Sequence, residues 1–93
     1  MDLNQITVPV TDVERSIDFY EKLGLKLIVK ALPDYARFEC PEGYDTFSLH
    51  RTDLQCAQGI WVYFEVQNLD DYVNNLIKKN VIFEELPNDK SWL

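Results

Sequence analysis

The side chains able to do chemistry fall at alternate positions. Gln5 and Thr7 stand two apart, as do Arg37 and Glu39, Ser48 and His50, and Trp61, Tyr63 and Glu65. Alternate residues of an extended strand share a face, so each set points one way. His50, the single histidine, reads as a metal ligand or as a strand-end residue with a satisfied hydrogen bond. Glu65 reads as a general base or as an ordinary wall carboxylate. Arg37 can hold a ligand carboxylate, or pair with an acid such as Glu39. Trp61, Tyr63 and Tyr35 can stack on a flat or cationic ligand, or pack between protomers. The sequence holds no nucleophile–base constellation, phosphate-cradling loop or dinucleotide fingerprint. Cys40 and Cys56 lack metal spacing and cannot make a disulfide framework, so they read as reduced thiols.

The elements that must position these residues repeat once. Residues 3–10 alternate, with Ile6, Val8 and Val10 facing one way and Gln5, Thr7 and Pro9 the other. Pro9 cannot donate a ladder hydrogen bond, which places this strand at an edge or its end. Asp12 caps a helix whose apolar stripe is Val13, Ile17, Tyr20 and Leu23, and Gly24 supplies a left-handed stop. Strands follow over 25–31, 35–40 and 44–51, which makes the first half β-α-β-β-β. Residues 52–59 are a polar connector. The outline then restarts at Ile60 with one constant offset. Ile6 answers to Val62, Val8 to Phe64, Asp12 to Asn68, Tyr20 to Leu76, Gly24 to Asn80 and Leu25 to Val81. A strand over 60–66 puts Trp61, Tyr63 and Glu65 on the face away from the core. A helix capped by Asn68 and Asp71 comes next, and a strand over 81–86 closes the pattern. The rest of the third strand and all of the fourth have no counterpart. The chain therefore reads as a shortened version of a longer protein, or as one whose open sheet edge a partner chain covers.

With 93 residues, one domain spanning 1–93 is expected, built from module one (3–51) and a partial module two (60–93). Hydrophobic and charged fractions of 46% and 27% are those of a soluble globular protein. A net charge of −7 argues against nucleic acid or an anionic membrane surface as partner. There is no run long enough for a membrane span and no signal peptide, so a cytoplasmic protein is expected.

The opening run I-T-V-P-V-x-D-V-E-x-S-I-x-F-Y-x-x-L-G-L and the later Y-F-E-V-x-N-L-D resemble the vicinal-oxygen-chelate superfamily: glyoxalase I, the bleomycin-resistance proteins and the extradiol dioxygenases. The resemblance spans essentially the whole chain and is not specific to one activity. It implies an α+β fold of two pseudo-symmetric βαβββ modules, the second incomplete, in a curved mixed sheet with helices on the outer face. The inner face is then a cleft, where many members hold a divalent metal that acts as a Lewis acid on two neighbouring substrate oxygens. Strand parity puts Gln5, Thr7, Ser48, His50, Trp61, Tyr63 and Glu65 on that face, with Arg37 and Glu39 as wall residues. Carried over by position, the first metal ligand is Gln5. The second is Ser48 or His50, of which only His50 ligates well. Trp61 stands at the third position and cannot ligate, and the fourth, usually a Glu on the final strand, is missing.

Two functions follow from that resemblance. One is a glyoxalase-type lyase or isomerase, with a divalent metal (Ni, Zn, Mn or Fe) on Gln5 and His50 and Glu65 as the catalytic carboxylate. Thr7, Arg37, Ser48, Trp61 and Tyr63 then line the ligand. The other is a metal-free module of the bleomycin-resistance type that sequesters a small molecule in an acidic, aromatic-lined cleft. Both imply a small-molecule ligand, and the family habit of pairing modules across subunits implies a homodimer.

Overall fold

The computed structural model describes residues 1–53 and 61–83. They fall in two compact units, Met1–Trp61 and Val62–Leu93. The first unit contains β1 (Gln5–Val10), α1 (Val13–Leu23), β2 (Lys26–Ala31), β3 (Tyr35–Glu39) and β4 (Thr46–Arg51). Its four strands lie in the order β1-β4-β3-β2. Two hairpins make β2–β3 and β3–β4 antiparallel, and β1 closes onto β4 in parallel. This is the expected β-α-β-β-β module.

α1 forms where its sequence permits a start and a stop. The Asp12 carboxylate accepts from the Arg15 backbone N–H at 3.0 Å, and Glu14 sits in the positive first turn. At the other end Gly24 has φ 106°, the left-handed region. Its N–H reaches Glu21 O, and that of Leu25 reaches Tyr20 O, the paired bonds that close a helix around such a residue. The buried stripe, Val13 and Ile17, lies with Ala36, Phe38, Phe47 and Leu49 in the core. The Tyr20 ring packs 4.7 Å from Phe47 and 6.0 Å from Phe38, centroid to centroid. The buried Val, Ile, Phe and Leu side chains each contribute roughly 1.5–3 kcal/mol by leaving water. The packing commits the odd residues of β4 and the even residues of β3 to the helix side.

The second unit repeats the helix and its ends. α2 (Leu69–Lys78) is capped by Asn68, whose carbonyl side chain accepts from Asp71 N–H at 3.3 Å. The Asp71 carboxylate in turn accepts from the Asn68 side-chain amide at 2.7 Å, in place of the backbone N–H expected of a capping box. Asn80, at φ 66°, donates to Ile77 O, and Val81 donates to Leu76 O. These are the positions that answer to Gly24, Glu21, Leu25 and Tyr20, so the repeat extends to individual hydrogen bonds. The expected strand over 60–66 is not found over 61–66, which carry no strand. Exposure there alternates only in part: Val62 and Val66 are half-buried and Trp61, Tyr63 and Glu65 exposed, but Phe64, on the expected core face, is exposed too. Of the expected strand over 81–86, residues 81–83 carry no strand and the rest lies outside the described residues, as does Cys56.

Candidate functional site

The face of the sheet away from α1 carries the polar residues. Register sets them in rows: Thr7, Ser48, Arg37 and Val29 form one, and Pro9, His50, Tyr35 and Ala31 the next. Gln5, Thr46, Glu39 and Lys26 form a third. Four side chains across these rows are joined. Gln5 Nε2 donates to Ser48 Oγ at 3.1 Å, Ser48 Oγ lies 3.0 Å from Tyr35 Oη, and Arg37 Nε donates to Tyr35 Oη at 3.0 Å. The Arg37 guanidinium also lies 5.9 Å from the Tyr35 ring centroid, within range of the aromatic face.

The direction of the middle bond follows from counting protons. Ser48 already accepts from Gln5 and is fully buried. Among the described residues Tyr35 Oη is the one acceptor in reach of its proton. A buried hydroxyl proton without an acceptor is costly. Donation therefore runs Gln5 to Ser48 to Tyr35, with Arg37 donating to Tyr35 from the other side. The phenol oxygen accepts twice, and its own proton is left for a ligand or water. The Ser48 hydrogen bond, above all, holds the Tyr35 phenol below its ordinary value of 10.0, against a smaller opposing effect of burial. Arg37, through its hydrogen bond and charge, and Gln5 add to the lowering.

Parity thus put Gln5, Thr7, Arg37, Glu39, Ser48 and His50 on one face of the sheet, as observed. Ser48 shares the face but is covered, bonded to Gln5 and Tyr35, so it positions those two and does not line a ligand surface. Trp61, Tyr63 and Glu65 lie outside any strand, so alternation does not fix which way they face. Trp61 and Tyr63 are 76% and 71% exposed. Tyr35 is the residue that sequence reasoning undervalued. Its type and place in the sequence suggest a stacking ring, whereas its hydroxyl is the hub. The signal was the Tyr-x-Arg spacing on β3 opposite a serine with no room for solvent.

Gln5 and His50 do not fit one metal ion. Gln5 pairs with Thr46 and His50 with Pro9, so they lie four residues apart along parallel strands, about 13 Å. Two ligands of one ion bring their donor atoms within about 4 Å, and strand side chains stand roughly perpendicular to the sheet. The β4 residue that meets Gln5 is Ser48, a poor ligand. His50 donates from Nδ1 to the Arg51 carbonyl at 2.9 Å, which leaves Nε2 as its free lone pair. Among the described residues no three His, Cys, Asp or Glu side chains are grouped to hold a metal. The Cys40 thiol is pushed up by burial, then by the Asp45 and Glu39 carboxylates, so it is not activated.

A model of the Glyoxalase/Bleomycin resistance protein/Dioxygenase superfamily matches residues 2–93. The chain belongs to that superfamily. A solved structure of an integron cassette protein from the mobile metagenome of V. cholerae shares this glyoxalase-superfamily fold at 21% identity, with a TM-score of 0.69. The likeness covers 97% of this chain and 76% of that one. No curated protein matches. Among the described residues, no helix of this superfamily member is long and apolar enough to cross a membrane.

Proposed function

We propose that this glyoxalase-superfamily chain binds a small organic molecule on the sheet face opposite α1, without a metal shared by Gln5 and His50. The observation that carries this reading is the hydrogen-bonded chain from Gln5 through Ser48 and Tyr35 to Arg37. It fixes the Gln5 amide nitrogen on Ser48 and presents a preset polar surface, as a binding module needs. This is the bleomycin-resistance type of activity, sequestration rather than turnover. The lyase or isomerase alternative requires a metal, and the pairing of β1 with β4 separates the two residues proposed to share it. The homodimer implied by the family belongs to the same reading.

Trp61, Tyr63 and Glu65 are given no role on this face; their exposed side chains stay candidates for stacking on a ligand and for a general base. The test is a ligand screen by protein NMR on the full chain, repeated after chelation with EDTA and after adding nickel, zinc or manganese. Hits that shift Thr7, Arg37 and Val29 should bind with unchanged affinity under all of these conditions. Binding that vanishes with EDTA and returns with a metal would defeat the metal-free reading.

A further inference from the structure

Arg37 differs from the other β-sheet arginine. Arg51 is neutralised twice, by Asp34 at 3.0 Å and by Asp53 at 2.6 Å. Arg37 is half-buried, and its one hydrogen bond, from Nε, goes to a neutral phenol. The Arg37–Glu39 pair that the sequence allowed does not form, and among the described residues no acid lies within ion-pair distance of Arg37. Its two terminal nitrogens carry four further donors, which meet no acceptor among the described residues, in a chain of net charge −7. Next to them lies the Tyr35 hydroxyl, with its proton unspent after accepting from both Ser48 and Arg37. A positive fork and a neutral hydroxyl donor set side by side recognise a carboxylate. One oxygen takes the guanidinium and the other takes the phenol proton.

We propose that Arg37 and Tyr35 form a carboxylate-binding subsite, whose ligand is a small monocarboxylate with a compact apolar group. The apolar half of the ligand is argued from register. On β2, Val29 pairs with Arg37 and Ala31 with Tyr35, so a short alkyl surface borders Arg37 and Tyr35 on that side and suits a short alkyl or aryl group of the ligand. Val29 is 39% exposed, so part of its side chain is open to a ligand. Ser48 and Gln5 act as positioning residues, because they set the direction of the Tyr35 proton without meeting the ligand. The inference rests on the proposed use of this face for ligand binding, and it adds the charge and shape of what binds.

The test uses benzoate as probe, with benzamide as its neutral counterpart and benzylammonium as its cationic one, each titrated into the full chain and followed by amide chemical shifts. Benzoate is expected to shift Val29, Arg37 and Tyr35 and to bind at least about tenfold tighter than benzamide. Arg37→Gln should weaken benzoate by about tenfold or more and leave benzamide unchanged. Arg37→Lys should recover part of that loss, since it restores charge but not the fork. Tyr35→Phe should cost about three- to tenfold. Thermal melts of each variant check that it is folded. Benzoate binding that is equal in wild type and Arg37→Gln overturns the subsite. Preference for benzamide or benzylammonium at the same residues overturns it too, while leaving the ligand face intact. No shift with any of the three probes overturns the subsite, and the ligand face then stands or falls on the wider screen.

Discussion

Ser48→Ala tests whether the hydroxyl chain is built as described. The substitution removes one oxygen from a fully buried position and with it the bonds at 3.1 and 3.0 Å to Gln5 and Tyr35. A typical intramolecular hydrogen bond has a net worth of about 0.5–1.5 kcal/mol. Gln5 is exposed and Tyr35 half-buried, so water can reach both stranded groups, and the loss should fall in the lower part of the sum, about 1–2 kcal/mol. With a urea m-value of about 1 kcal/mol/M for so small a chain, the unfolding midpoint should drop by about 1–2 M with m unchanged. The second readout is Tyr35 itself, followed by ring-carbon NMR through alkaline pH. Its ionisation should move up toward 10.0, because Ser48 is the largest cause of the lowering. The sign is fixed by linkage. A phenol whose folded value is depressed stabilises the fold above its unfolded value, and that stability is lost as pH falls through the folded value. Wild type should therefore gain stability as pH rises from the folded value toward the unfolded one, and Ser48→Ala should gain less. A variant with an unchanged midpoint and an unchanged Tyr35 titration would refute the assigned bond directions.

Three further outcomes concern the framework. Gly24→Ala should cost about 1–2 kcal/mol from backbone alone, since φ is 106° and a Cβ built there meets nothing within 4 Å. Asn80→Gly at φ 66° should leave the urea midpoint unchanged or raise it slightly, which distinguishes the two matching helix ends. Phe38→Ala empties a fully buried site beside Tyr20 and Phe47 and should cost about 3–5 kcal/mol. Against a total of about 5–14 kcal/mol for a chain of this length, calorimetry should show a sharply lowered transition.

The parts of the fold governed by local periodicity were legible. Alternation in β1, β3 and β4 sorted core from polar face, and Asp12, Gly24, Asn68 and Asn80 marked the helix ends by their side-chain and backbone chemistry. What alternation cannot supply is the slide of one strand against another. Parity treats Ser48 and His50 alike, and only the pairing of β1 with β4 shows that Gln5 meets the serine. At that step Gln5 and His50 come out four residues apart along the paired strands. The strand expected over 60–66 illustrates a different limit. An apolar alternation states which residues avoid water, and a ladder partner is still needed before the segment becomes a strand.

The parallel pairing of β1 with β4 also shapes how the chain is made. The two strands are separated by roughly forty residues, so during synthesis at about 5–20 residues per second β1 leaves the ribosome seconds before its partner exists. Through that interval the run Ile6-Thr7-Val8-Pro9-Val10 is an orphan of strong β-propensity, the kind of segment that recruits identical neighbours on other nascent chains. Pro9 interrupts it with a residue that has no N–H to offer. In the folded protein it pairs with His50 at little cost. On the polysome it is a gatekeeper, and it lets an edge strand wait for its hairpin without aggregating.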